Sequence, residues 1–145
     1  MIFDDSLRLF LTEKVGFFQE NPDRLIISVE KGSLKWSGHG LSHVQQYQLL
    51  VEVDEWPERL DANSIIIPIL DWYQNNQDPL PPTAPSPVTF ETYVLSNYTT
   101  TVVFAIKVEE IVRVSISANG EYVFGACPQP SHIDDLITPP TEILK

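Results

Sequence analysis

Between Asp5 and Asn21 the apolar residues Leu7, Phe10, Leu11, Val15 and Phe18 recur at steps of three and four, which collects them on one helical face. The pattern predicts a first helix. Asp4, Asp5 or Ser6 offers side-chain oxygens to its first-turn amides, and Asn21-Pro22 ends it because a residue before proline disfavours helical angles. From Arg24 to Glu30 the period becomes two, with Leu25, Ile27 and Val29 alternating with Ile26, Ser28 and Glu30. Lys31-Gly32 then predicts a turn into Ser33–Trp36, and so a hairpin. Leu41 to Trp56 reads as one long half-buried strand, with Tyr47, Leu49, Val51 and Val53 on one face and Gln46, Gln48, Glu52 and Asp54 on the other.

Helical spacing returns at Ile65, Ile66, Ile69, Leu70 and Tyr73, behind capping oxygens from Asp61 to Ser64. Pro68 conflicts with this second helix unless it falls near the first turn, and it predicts a kink or a shorter helix. Five prolines between Asp78 and Pro87 predict an extended surface loop. Two alternating runs, Val88–Leu95 and Thr100–Glu109, form a second hairpin. A third run, Ile111–Ser117, reaches Asn119-Gly120, the dipeptide suited to positive φ at both centres of a tight turn, and Glu121–Ala126 returns. The expected class is α+β, an antiparallel or mixed sheet with two main helices on one face. Residues 1–126 form the domain and 127–145 an extended, proline-rich tail. Five of that tail's nineteen residues, Ile133, Leu136, Ile137, Ile143 and Leu144, are bulky aliphatics, so it docks on its own domain or on a neighbour.

Composition narrows the function. With 145 residues and 43% apolar content the chain supports one core without staples. Its net charge of −11 opposes nucleic-acid phosphate and anionic lipid, whose binding is driven by Lys and Arg. A single cysteine, Cys127, excludes an internal disulfide, and the acidic start and the lack of an 18-residue apolar run point to a soluble, unexported chain with no membrane partner.

Chemistry is sparse. His39 and His43 stand four apart but between glycines, in a loop entering a strand, and lack a third ligand, so no metal is expected. Cys127 has no basic neighbour, and no nucleophile elbow, phosphate loop or dinucleotide fingerprint occurs. The acidic pairs Asp4-Asp5, Glu109-Glu110 and Asp134-Asp135 read as solvated faces. Trp36, Trp56 and Trp72 are core or strand-end residues, or else contact anchors. No catalytic residue and no cofactor are expected. What remains is a protein of surfaces.

Several segments resemble the tail completion protein R family of contractile-tailed temperate bacteriophages. They are Asp5-Ser6-Leu7-Arg8, Asn21-Pro22-Asp23-Arg24-Leu25, Lys31-Gly32-Ser33, Tyr47-Gln48-Leu49, Ile67-Pro68-Ile69-Leu70-Asp71-Trp72 with Asn75-Asn76-Gln77, Phe90-Glu91-Thr92-Tyr93, and Lys107-Val108-Glu109-Glu110. The Pro79–Pro87 loop fits least. The resemblance implies a structural virion protein, assembled in the host cytoplasm, that caps the head-proximal end of a tail tube, stops its elongation and prepares it for the head. It implies α+β subunits in a homo-hexameric ring, with tail tube protein, and sheath and head-completion proteins, as partners, and DNA passing through without specific binding. Six copies would carry about −66 of charge, which either repels DNA phosphates from the lumen or keeps the free subunit soluble. Partner contacts are expected at Tyr122 and Phe124 beside the hairpin turn and at Ile133, Leu136, Ile137 and Ile143 in the tail, against the alternative of packing on their own subunit. A non-viral adaptor, and more distantly a hydrolase using His39 and His43, are the other readings.

Overall fold

A computed structural model describes residues 1–95 and 98–127. The expected α+β architecture is present. Helix α1 spans Phe3–Lys14 and α2 Gly16–Glu20, a single 3-10 turn covers Pro22–Arg24, and strands β1 (Leu25–Lys35) and β2 (His43–Pro57) follow. Helix α3 (Asn63–Asn76) and strands β3 (Val88–Val94), β4 (Thr99–Ile116) and β5 (Tyr122–Cys127) complete the chain. All strand pairs are antiparallel, in the order β1-β2-β4-β3, and β5 also pairs with β4.

The helices cover one face of the sheet. Phe3, Leu7, Leu11 and Phe18 meet Ile65, Ile69 and Trp72 over Leu49, Val51, Val53, Phe104 and Ile106, all buried. The Phe3 and Trp72 rings meet edge to face at 5.8 Å. Such side chains contribute roughly 1.5–3 kcal/mol each on burial. Trp56 closes the far end against Phe17, with ring centroids 5.1 Å apart.

The first helix is not continuous. It breaks at Val15, which adopts φ −116° and ψ 110°. A β-branched residue followed by glycine is a weak place in a helix, and the break still leaves Val15 and Phe18 buried. No side chain of Asp4, Asp5 or Ser6 caps α1. Glu110 Oε1 instead accepts the Ile2 amide at 3.1 Å, while Ser6 Oγ accepts from Trp72 Nε1 at 3.0 Å.

The hairpin expected at Lys31-Gly32 is instead a bulge within one eleven-residue strand. Lys31 takes φ 51°, and the register against β2 shifts between Glu30 and Ser33. Turn-forming residues suit bulges equally well, and β2 is long enough to pair with both halves. A second bulge in β2, between Val53 and Trp56, places Glu55 at φ 53° and returns Trp56 to the core face. Pro68 is the sixth residue of α3 rather than part of its first turn, and the helix nevertheless continues to Asn76. The carbonyl that loses its donor belongs to Ser64, which is exposed. Runs 100–109 and 111–117 merge into the single strand β4. Around Asn119-Gly120 only Gly120 has positive φ, 87°. Gly120 donates to the Ser117 carbonyl at 2.9 Å and Ser117 to the Glu121 carbonyl at 2.8 Å, a type I turn with a glycine bulge rather than a two-residue turn.

Ile111 and Val112 pair with both β2 and β5, so β5 lies on the same flank of β4 as β3. Between these two short strands a stretch of β4 lacks a strand partner on that flank, though β2 pairs with it on the other. Gln77 fills it: its side-chain Nε2 donates to the Glu109 carbonyl at 3.1 Å, and its Oε1 accepts the Glu109 amide at 2.8 Å. The Pro87 carbonyl accepts the Lys107 amide at 2.9 Å. One buried glutamine thus pairs with a strand as a peptide would. Replacing Gln77 with Leu keeps the volume but orphans both groups. At about 1–3 kcal/mol for each buried unsatisfied group, urea unfolding is expected to show a loss of roughly 2–5 kcal/mol, and Gln77→Asn, one methylene short, is expected to fail to restore it.

Candidate interaction surfaces

The helical layer ends before the sheet does. β2 pairs with β4 no further than His43 opposite Val112, whereas β4 runs on to Ile116 with only β5 beside it. Antiparallel register puts Phe124 opposite Val114 and Tyr122 opposite Ile116, on the face that is core elsewhere in β4. Tyr122 is 68% exposed and Phe124 71%. The sequence-predicted pair is therefore brought together on a projecting two-stranded arm. Leu34 and Trp36, also exposed, stand at the neighbouring β1–β2 tip, which meets the arm where Ser42 Oγ accepts the Val114 amide at 2.9 Å. Ile133, Leu136, Ile137 and Ile143 lie outside the described residues, as does Pro128 onward.

Sequence reasoning missed Leu34 as an exposed residue of the β1–β2 tip, because the expected early hairpin turned that tip elsewhere. Trp36 does sit at a strand end, with Nε1 donating to the Gly40 carbonyl at 3.0 Å. Trp56 and Trp72 are core.

Below the arm, Glu110 is buried on the helix-facing side of β4. Tyr47 Oη donates to its Oε1 at 2.6 Å, and the same oxygen takes the Ile2 amide beside the α1 N-terminus, whose dipole favours an anion. Burial first, and the adjacent Glu110 carboxylate second, push the Tyr47 phenol far above its ordinary value of 10.0. Tyr73 is pushed up by burial and then by the charge of Glu109.

The opposite, helix-free face carries Glu30, Glu52, Asp54, Glu91 and Glu109, with Lys35 and Lys107 among its cations and Lys35 paired to Glu109 at 3.4 Å. A hydrogen bond with Asp54 raises the Glu52 carboxyl above the usual range. Between Leu80, Ala84 and Pro85–Pro87 of the proline-rich loop and Gln46, Lys107 and Glu109 of the sheet lies a groove of about 500 Å³.

His39 sits in an exposed tip. His43 Nδ1 lies 2.8 Å from the Leu41 carbonyl, which makes it the donor, and Nε2 accepts from Gln45 at 3.2 Å. Among the described residues no three His, Cys, Asp or Glu side chains cluster as metal ligands, and no helix is long and apolar enough to cross a membrane. The geometry offers surfaces for assembly.

Residues 1–130 match the family described as P2 phage tail completion protein R (GpR). The chain belongs to this family. Tail completion protein R of Escherichia phage P2 is 37% identical over 78 residues, which cover 53% of this chain and 49% of that protein. The chain thus spans about half the length of the curated relative it matches. No solved structure matches the chain. The tail completion R match takes in every element from α1 to β5, including the Gln77 contact and the arm.

The tyrosines fix an alkaline limit. Above about pH 10 the unfolded chain loses phenolic protons that Tyr47 and Tyr73 retain when folded. The folded state then binds more protons, so stability falls as pH rises through that range and is fully present below it. Tyr47→Phe is expected to flatten this decline in denaturant melts. At pH 7 it should cost about 1.5–3 kcal/mol, the usual contribution of a hydrogen bond to a charged group.

Proposed function

We propose that the chain is a structural subunit of a phage tail that closes the head-proximal end of the tail tube, stops its growth and prepares it for the head. In this reading it acts as a homo-hexameric ring, with tail tube protein on one side, head-completion protein on the other and sheath nearby, and no reaction is catalysed. Its place is the virion tail, reached after assembly in the host cytoplasm.

The observation that carries the reading, within a family of tail completion proteins, is the arm. A two-stranded projection bearing Tyr122, Phe124 and Ile116, each at least 60% exposed, is poorly stabilised alone and suits a self-complementing neighbour contact. A ring built from identical subunits needs one patch and one counter-patch on every copy, and the arm reaches beyond the body to provide the first. The helix-free face then suits the lumen. Glu30, Glu52, Asp54 and Glu91 share it, and fixed carboxylates there would repel phosphates, so DNA passes without adhering.

Electron microscopy of tail tubes assembled without this protein and then mixed with it tests the reading. Tubes of defined length with added density at one end are expected; overlong tubes with bare ends would overturn it in favour of a generic adaptor. The double variant Tyr122→Asp with Phe124→Asp removes only exposed side chains, so its far-UV spectrum should match the parent. Loss of two aromatic anchors is expected to reduce capping by at least about 30-fold.

A further inference from the structure

The sheet has outer edges at β1, β3 and β5, and they are not alike. β1 is broken by the bulge at Lys31 and carries Lys31 and Lys35, features that discourage another strand from pairing. β5 has only six residues, one of them Gly125. β3 runs for seven residues in unbroken register with β4, from Val88 to Val94, and contains no proline, glycine, lysine or bulge. Phe90, Tyr93 and Val94 on it are exposed. An edge this regular and unguarded is a template for strand addition.

The backbone of β3 shows where an added strand would bond. The Leu95 amide donates to the Thr99 carbonyl at 3.3 Å, and the Pro87 carbonyl accepts the Lys107 amide at 2.9 Å, so the odd-numbered residues turn their peptide groups toward β4. Those of Val88, Phe90, Thr92 and Val94 point away from the sheet. Ser86 Oγ already serves Val88, accepting its amide at 3.2 Å and donating to its carbonyl at 2.8 Å. The outward groups of Phe90, Thr92 and Val94 have no partner among the described residues. This free set is symmetric about Thr92.

We propose that the β3 edge pairs antiparallel with the β3 edge of a second copy of this chain, about a two-fold axis at Thr92. Thr92 of one copy faces Thr92 of the other, and Phe90 of each faces Val94 of the other, so every free peptide group on the edge gains its hydrogen bond. The side chains match as well. On the helix-bearing side a threonine pair lies between two pairs of an aromatic with a β-branched residue, both favoured cross-strand combinations. On the helix-free side Glu91 of each copy faces Tyr93 of the other, the residue whose phenol donates to Glu91 Oε1 at 2.8 Å within one strand. An axis at Glu91 would instead set two carboxylates directly opposite on a face that holds Glu52 and Asp54, and would need the Val88 groups that Ser86 occupies. The two acidic faces meet side by side, not face to face. The contact is separate from the arm and stands whether or not a ring forms.

Sedimentation velocity and disulfide trapping on the full chain test it, in a Tyr122→Asp, Phe124→Asp background so that the arm contributes no association. A contact of one strand per copy is small, and a micromolar dimer, nearly complete at about 100 μM, is expected. A monomer at that concentration would overturn the proposal. Thr92→Lys, which sets two ammonium groups across the axis, and Thr92→Pro, which removes the outward N–H but leaves the β4 ladder intact, should each raise the dissociation constant at least about tenfold with an unchanged far-UV spectrum. A dimer that tolerates Thr92→Lys would overturn it. With Cys127→Ser added, Thr92→Cys should oxidise to a cross-linked dimer at least about tenfold faster than Val94→Cys. Opposed residues of a hydrogen-bonded pair lie about 5.5 Å apart at Cα, within disulfide reach, whereas the two copies of residue 94 would stand about 14 Å apart. Equal rates, or faster trapping through Val94→Cys, would overturn it.

Discussion

The structure turns on the edge of β4. A strand of eighteen residues is the spine of the sheet, yet the two strands on its outer flank, β3 and β5, cover only its ends. The middle would expose an amide and a carbonyl to a crowded, largely buried region, at a cost no small domain absorbs easily. Gln77 meets that constraint because its amide presents one donor and one acceptor at the spacing of a peptide group. Its position follows from α3, whose last turn ends one residue earlier. The end of α3 is consequently tied to the middle of β4 by one side chain. The loop has no regular structure to hold it, and it is anchored at its exit by the bond from Lys107 to Pro87.

Glu110 does the corresponding work on the other side of β4. A carboxylate at a core position is costly unless it is hydrogen-bonded, and here a phenol and a helix N-terminal amide both serve it. The interaction ties α1 to the sheet near the point where the helical cover stops. Past that point the same strand face continues, but Val112, which is buried, gives way to Ile116, which is exposed. The arm is therefore the core pattern carried beyond its cover. Its apolar side chains need no separate design, only a strand longer than the helices that pack on it.

This continuity explains what the sequence disclosed and what it hid. The alternation from Val102 to Val108 and the helical spacing of Ile65, Ile66, Ile69, Leu70 and Tyr73 gave the strand and the helix, because burial imposes those periods, but within the helix Leu70 is exposed and Trp72, outside that set, is the residue buried beside Ile65 and Ile69. Glu110 concealed that β4 is one strand, since a charged residue at an inward position looks like an interruption until its partners are known. Lys31-Gly32 failed for a related reason: positive φ is a local property, whereas turn or bulge is decided by what pairs on either side. Val15-Gly16 is a weakness that periodicity alone passes over. Tyr122 and Phe124 were legible as surface residues because they follow a recognisable turn, while the exposure of Leu34 at the β1–β2 tip follows only from a continuous β1. Gln77 was visible as the close of an Asn-Gln segment, but a side chain standing in for a strand leaves no periodic trace.

The two faces of the sheet thus divide the assembly problem between different forces. On the helix-bearing side, exposed aromatic groups at the arm gain free energy when a partner covers them, roughly in proportion to the area removed from water. On the helix-free side, Glu30, Glu52, Asp54 and Glu91 make close approach of another acidic surface unfavourable, and a second copy of this chain is such a surface. Within the proposed ring, repulsion over that face and the aromatic groups exposed at the arm would favour lateral contact over stacking. In the proposed reading, a subunit with that asymmetry would add neighbours side by side, the geometry from which a closed ring, rather than a growing column, arises.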